Sequence, residues 1–157
     1  MSPRKSKDLT QAGARNSELR TLGRREHSAA ELKAKLEWRG FDEETVEQTV
    51  SSLSEKGWQS DERYAEQLVR SRVAQGYGPL RIEAELSAAG VDDKEISAAL
   101  ASAECDWQEL ALRLHQRKFK SAPEGAAQWQ KHYRFLAARG FTSEQIHAVL
   151  RHEPEGD

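Results

Sequence analysis

Apolar positions recur along this 157-residue chain with the spacing of amphipathic helices, and the pattern returns about every 50 residues. Leu32 and Leu36 fall on one helical face, and Ile82 and Leu86 repeat that spacing fifty positions later. The sequence has no alternating runs of Val, Ile or Thr of the kind that would favour strands. The pattern therefore predicts an all-α fold.

Each repeat contains the same corner between two helices. A glycine suited to a left-handed helix end precedes an apolar residue, and an N-cap oxygen follows. The three corners are Gly40, Phe41 and Asp42; Gly90, Val91 and Asp92; and Gly140, Phe141 and Thr142. Glu95 and Gln145 are placed to complete capping boxes, and Val46, Ile96 and Ile146 are placed to form hydrophobic staples. Each copy therefore predicts a helix, a glycine stop and a new helix.

A further helical pattern precedes each of these helix pairs, which indicates three units of three helices. The predicted units are residues 15–57, 58–104 and 105–152, flanked by a mobile basic tail at 1–14 and a second tail at 153–157. The predicted architecture is an elongated array of three tandem three-helix repeats. Trp58 and Trp107 both precede the first helix of a unit, so we expect them to pack at the joints between units.

Composition adds one functional signal, because the net charge of −2 hides an alternation of sign along the chain. Segments 1–39, 63–81 and 110–139 carry net charges of +5, +3 and +6, whereas the three segments between and after them are acidic. Equivalent helices align in a stacked array, so this alternation predicts a basic edge and an acidic edge. The predicted basic face consists of Arg24, Arg25, Lys33, Lys35, Arg39, Arg63, Arg70, Arg72, Arg81, Arg113, Arg117, Lys118, Lys120, Lys131 and Arg134. The competing interpretation is ordinary solvated charge, with acidic residues favoured at helix N-termini by the helix dipole.

The residues offer little support for catalysis. The five histidines lack the i, i+4 spacing of a metal site, and Gly76 and Gly78 are followed by Pro79 instead of a phosphate-binding lysine. Cys105 lies between two acidic residues, which would raise its thiol pKa. We therefore predict a chain that is not an enzyme and needs no metal or cofactor. With no secretory signal or apolar run long enough to span a membrane, we expect a cytoplasmic protein.

Specific motifs of the first two units resemble the RecX family of bacterial recombination regulators. The similar residues are the run from Arg24 to Ser28, Glu31 and Leu32, Leu36 and Gly40, Asp61, the run from Arg63 to Ala65, and Gly76, Gly78, Pro79, Arg81 and Ile82. This signature covers about residues 19–90, and the third unit matches by pattern more than by identity.

The resemblance implies a regulator that binds the RecA recombinase filament along its groove. Such a regulator limits filament growth, ATP hydrolysis, strand exchange and co-protease action, in DNA repair and the SOS response. A monomeric rod with repeated faces suits a helical polymer, because several weak contacts add through effective concentration. Weak binding to single- and double-stranded DNA is expected beside this main activity.

The alternative is a DNA-binding protein without sequence specificity that competes for DNA. A three-helix unit is similar to a helix-turn-helix, whose second helix enters the major groove. The helices after the corners, however, begin with acidic residues such as Asp42, Glu43 and Asp92, which phosphate repels. Any DNA contact should therefore come from the basic helices that precede the corners.

Overall fold

The structure, a computed structural model, describes residues 9–151, and the regular structure within that range is helical. The helices are α1 (Gln11–Leu22), α2 (Ala29–Trp38), α3 (Glu43–Glu55), α4 (Asp61–Ala74), α5 (Pro79–Ala88), α6 (Asp93–Ser102), α7 (Trp107–Lys118), α8 (Gly125–Ala138) and α9 (Ser143–Leu150). They form three consecutive three-helix units, which confirms the predicted all-α array of tandem repeats. No helix in residues 9–151 is both long and apolar enough to cross a membrane.

The first unit begins earlier than predicted. Thr10 is the N-cap of α1 and accepts from the Gly13 amide, and Ala14 is fully buried in the core of this unit. Residues 11–14, which were expected to belong to a mobile tail, are therefore part of the fold. Residues 1–8 of that predicted tail and the predicted tail 153–157 lie outside the described residues.

The corners form as the sequence predicts. Gly40, Gly90 and Gly140 adopt φ angles of 95°, 81° and 95°, a region that side chains disfavour. Asp42, Asp92 and Thr142 accept hydrogen bonds from backbone amides three residues on, and the staple residues on both sides of each cap are buried. The helix boundaries are thus fixed by local hydrogen bonds.

Capping boxes are complete at two helix starts, one of them predicted above. The box is complete at Ser28 with Glu31 and at Thr142 with Gln145. Asp92 accepts from the Glu95 amide, but within the described part of the chain the Glu95 carboxylate makes no return bond. The box predicted at Glu95 is therefore only half formed.

Each unit has its own hydrophobic core, because the helix pairs in extensive contact all lie within one unit. The joint between the second and third units is partly apolar: Val73 and Trp107 pack against both adjacent cores. This confirms the joint role predicted for Trp107.

The joint between the first and second units is polar, and the prediction for Trp58 is wrong. Trp58 is half exposed, whereas the adjacent Gln59 is buried. The Gln59 side-chain amide donates to the His27 carbonyl over 3.2 Å and to Asp61 over 2.9 Å. Asp61 also accepts from the Ala29 amide over 2.8 Å. The buried side-chain amide of Gln59 therefore connects the units at this joint, as the Trp107 indole does at the other joint.

Candidate cationic interface

Many of the predicted basic residues of the first two units are held in ion pairs. The pairs are Arg25 with Glu31 at 3.2 Å, Lys33 with Glu47 at 3.2 Å, Arg63 with Glu26 at 3.0 Å, Arg72 with Glu85 at 2.6 Å, and Arg81 with Glu85 at 3.7 Å. Pairs this close to solvent contribute little stability, but they neutralise much of the local charge. The basic character of these units is therefore weaker than the sequence suggests.

Two further predicted cations lie beside a buried carboxylate. Glu18 of α1 is fully buried, and Lys35 and Arg39 lie near it. Burial raises the pKa of the Glu18 carboxyl, while the charges of Lys35 and Arg39 oppose that shift. Lys35 also donates to the Thr21 hydroxyl. These two cations, on α2 and at its C-cap, therefore oppose the effect of burial on a carboxylate of α1.

Exposed cations without an ion pair occur in all three units, and those of the third unit have few acidic neighbours along the chain. Within residues 9–151, the exposed cations outside any ion pair are Arg15, Arg20, Arg24, Lys56, Arg70, Lys94, Arg113, Arg117, Lys118, Lys120, Lys131, Arg134 and Arg151. Six of them lie on α7, on α8 or on the loop between them, where residues 110–139 carry a net charge of +6. This region therefore carries the strongest uncompensated positive charge in the described range.

Aromatic side chains connect this region to the second unit. The Lys118 ammonium lies 5.9 Å from the Phe135 ring centroid, and the Arg139 guanidinium lies 5.8 Å from the same centroid. The Arg139 guanidinium is also 5.2 Å from the Tyr77 ring centroid, and the Arg81 guanidinium lies 3.9 Å from that same centroid. We call Lys118, Phe135, Arg139, Tyr77 and Arg81 the cation–aromatic ladder. It crosses the joint between two units and places cations next to ring faces.

The ladder includes residues that sequence reasoning did not assign to the interface. Tyr77 and Phe135 lie outside the predicted basic face, whereas Arg139 is one of the cations of the basic segment 110–139. Tyr77 and Arg139 are 62 positions apart, so no local spacing connects them. The one available signal was an aromatic residue directly before the Gly78-Pro79 helix start.

The N-terminal turns of the helices after the corners are acidic, as predicted. α3 has Glu43 and Glu44 in its first turn, and α6 has Asp93 and Glu95. Phosphate would be repelled from these turns, so they are poorly suited to read bases in a groove.

A buried histidine pair lies beneath the basic surface of the third unit. His115 Nε2 lies 2.9 Å from His132 Nδ1, and the His132 ring stacks on Phe119 with centroids 3.7 Å apart. Burial lowers the pKa of both imidazoles. The pair is therefore neutral near pH 7 and ties α7 to α8 without adding surface charge.

The free thiol is not arranged as a nucleophile. Burial and the Asp106 carboxylate raise the pKa of the Cys105 thiol, against a smaller opposing effect of Arg113. In the described range, no group of three or more His, Cys, Asp or Glu side chains is placed to hold a metal ion.

Three domain models of one protein family match the three units of this chain, in the same order along the sequence. The family models described as the first, second and third three-helix domains of RecX match residues 14–53, 60–100 and 104–150. The chain belongs to the RecX family. The third unit, which matched the RecX pattern least clearly by sequence, is thereby included.

Individual relatives extend this agreement over most of the chain. Regulatory protein RecX of Stenotrophomonas maltophilia (strain R551-3) is 45% identical over 135 residues, which cover 85% of this chain and 83% of that protein. Regulatory protein RecX of Xanthomonas campestris pv. campestris (strain B100) is 44% identical with the same coverage. The crystal structure of RecX from Lactobacillus salivarius has a TM-score of 0.79 over 90% of this chain and 94% of that one, at 23% identity, and supports the fold. The names of these relatives confirm the predicted class of non-enzymatic regulator.

Proposed function

We propose that this RecX-family chain acts in the cytoplasm as a monomeric regulator that binds the RecA recombinase filament on DNA and limits its activities. These activities are ATP hydrolysis, strand exchange and co-protease action. The proposal rests on family membership together with the cation–aromatic ladder, which joins side chains of two units into one positive surface.

The ladder suits a nucleoprotein partner for a physical reason. The phosphates of a filament attract cations, and cations held against ring faces are positioned before binding, which reduces the entropy lost on contact. The exposed cations of α7 and α8 extend this surface. Contacts by several units add through effective concentration, so each single contact can remain weak.

Weak DNA binding accompanies this activity in our proposal. Cations without acidic partners attract any polyphosphate chain, so binding to single and double strands should fall as salt rises. The competing function is a DNA-binding protein that acts only by removing DNA from the recombinase.

A titration separates the two functions. ATP hydrolysis by RecA on single-stranded DNA is measured while this protein is added, and binding to the same strand without RecA is measured by fluorescence anisotropy. Inhibition at concentrations well below those that coat bare DNA supports filament binding. Inhibition that begins only when the bare strand is saturated supports competition for DNA and overturns the proposal.

A matched pair of variants tests the surface. Lys131→Glu with Arg134→Glu reverses two exposed charges on α8, whereas Lys56→Glu with Lys94→Glu reverses two exposed charges in the acidic segments. We expect the first variant to need more protein for half inhibition and to lose about one unit of salt slope per lost phosphate contact. The second should inhibit like the wild type. Equal loss in both would mean that net charge, and not this surface, controls binding.

A further inference from the structure

Two corners of the chain have the same three residues and closely similar backbones. Arg39, Gly40 and Phe41 form one corner, and Arg139, Gly140 and Phe141 form the other. Both glycines have a φ of 95°, and both donate over 3.0 Å to the carbonyl three residues earlier. The phenylalanine amides donate to the fifth preceding carbonyl over 3.2 Å and 3.3 Å. What binds one corner can therefore fit the other.

The corner of the third unit is occupied by the N-terminus of α5. The Gly78 amide donates to the Arg139 carbonyl over 2.7 Å, and the Leu80 amide donates to the Gly140 carbonyl over 2.9 Å. A Cβ on Gly78 would come within 2.6 Å of the Gly140 backbone, so the approach requires a residue without a side chain. Tyr77, just before the N-cap, packs its ring 5.2 Å from the Arg139 guanidinium.

The corner of the second unit is occupied by the N-terminus of α2, with a side-chain hydroxyl in place of the backbone amide. The hydroxyl of Ser28, the N-cap of α2, donates to the Ala89 carbonyl over 2.6 Å. A Cβ on Gly90 would lie 2.4 Å from the Cβ of Ala30, which indicates an equally close approach. Ser28 and Gly78 are fifty positions apart, as are Ala89 and Arg139. In the second and third units, the corner therefore contacts the N-terminus of a helix from the preceding unit, and that helix has a small N-cap residue.

Among the described residues, no helix N-terminus approaches the corner of the first unit. Among residues 9–151, nothing lies within 4 Å of a Cβ built on Gly40, and the Arg39 and Gly40 carbonyls accept no hydrogen bond. A cavity of about 380 Å³ lies beside it, lined in part by Arg20, Trp38, Arg39 and Phe41. Of the residues that the structure describes, the lining includes two arginines and no carboxylate.

We propose that the Arg39-Gly40-Phe41 corner is a docking site for the N-terminal turn of a helix in a partner protein. The docking turn has an aromatic residue followed by a glycine or serine N-cap, as Tyr77 and Gly78 do at the occupied corner. It also carries an acidic residue, because the cavity is lined by Arg20 and Arg39 and helix N-termini favour acidic side chains. This site is separate from the cation–aromatic ladder and does not depend on the function proposed above.

A second copy of this chain is a poor occupant. The period of 50 residues would place the start of the second helix of unit three at position 129, but α8 begins at Gly125. Its extra turn and its Glu124 N-cap, which makes no side-chain capping bond, remove the short helix start that the other two units present. The third unit therefore does not present the helix start that occupies the corners of the second and third units.

The test uses the full-length ¹⁵N-labelled chain and a synthetic peptide with the sequence of residues 76–90. We expect saturable shifts at the Arg39, Gly40 and Phe41 amides as the peptide is titrated to millimolar concentration. A control peptide with Gly78→Val should give none, because its side chain meets the corner backbone. A peptide with Arg81→Glu should bind about 2- to 5-fold more tightly, since it exchanges a cation for an acid near two arginines.

A variant of the receiving corner completes the test. Arg39→Gln keeps the backbone but removes the cation that would meet the tyrosine, so affinity should fall about 2- to 5-fold. Absence of shifts at the corner, equal shifts with the control peptide, or shifts confined to Arg139–Phe141 would overturn the proposal. Two other results would overturn the proposal by showing that something other than a partner protein occupies the corner. Shifts of the free protein that change on dilution would indicate a second copy, and cross-peaks from Gly40 to residues 1–8 would indicate the chain's own N-terminus.

Discussion

The backbone amide of Gly78 donates to the carbonyl oxygen of Arg139 across 2.7 Å, and this bond joins the second unit to the third. It forms because Gly78 has no side chain: a Cβ would lie 2.6 Å from the carbonyl carbon and oxygen of Gly140. Backbone atoms cannot move aside as a flexible side chain can, so the joint depends on this residue.

Gly78→Ala should destabilise the joint. We expect the free energy of unfolding to fall by about 1–3 kcal/mol, as for an overpacked interior site. Urea unfolding followed by circular dichroism measures this loss. Gly23→Ala is the matched control: Gly23 has a helical φ of −64°, and a Cβ there meets only ordinary contacts at 3.5 Å. That control should be neutral or stabilising by about 0.4–1 kcal/mol. Equal stability of the two variants would contradict the close approach.

The His115–His132 pair should make stability fall in mild acid. Burial holds both folded-state pKa values below the ordinary 6.5, so the unfolded chain binds protons more readily. The stabilisation is fully present above pH 6.5 and is lost as pH falls from there towards the folded-state pKa values. Urea midpoints between pH 5 and 8, compared for the wild type and His132→Leu, measure the effect.

The variant should show a shallower pH dependence, because it lacks one of the two imidazoles that bind a proton on unfolding. Leucine suits this position, since the equivalent positions of the other units hold Leu32 and Ile82. Some slope remains in it, since burial also lowers the pKa of His27. Identical slopes for wild type and variant would exclude the pair as a titrating element.

Replacing Glu18 by glutamine should stabilise the first unit near neutral pH. Burial raises the pKa of this carboxyl above its ordinary 4.5, so the ionised form is the less favourable one in the folded chain. The Glu18 contribution to stability is fully present below pH 4.5 and is lost as pH rises through the folded-state pKa. Thermal unfolding of Glu18→Gln should therefore give a higher midpoint than wild type at pH 7. A lower midpoint would show that Lys35 and Arg39 compensate the buried charge.

Arg70 and Arg72 should differ when their charges are reversed. Arg72 is half-buried in a 2.6 Å pair with Glu85, whereas Arg70 is exposed and in no ion pair within the described range. Arg72→Glu should lower the free energy of unfolding by about 1 kcal/mol, because two carboxylates then face each other. Arg70→Glu should leave unfolding unchanged and weaken binding to the RecA filament. Unaltered filament binding by Arg70→Glu would remove this residue from the interface.

The sequence by itself determined the helices, the corners and the 50-residue period. Gly40, Asp42 and their counterparts act on amides and carbonyls within five residues, so their effects are readable without knowing the packing. The family resemblance was also carried by short local motifs, such as the run from Arg24 to Ser28, and the family-domain matches extend it to the third unit.

Only the tertiary structure decided which charges remain available and how the units meet. Arg63 and Glu26, or Tyr77 and Arg139, approach because the joints bring distant segments together, and no spacing along the chain encodes that. The same holds for Gln59, which took the joint position expected of Trp58. Whether a cation pairs with a carboxylate, stacks on a ring or stays in solvent depends on the neighbours that the joints bring close. The cationic surface is therefore smaller than the basic face predicted from the sequence.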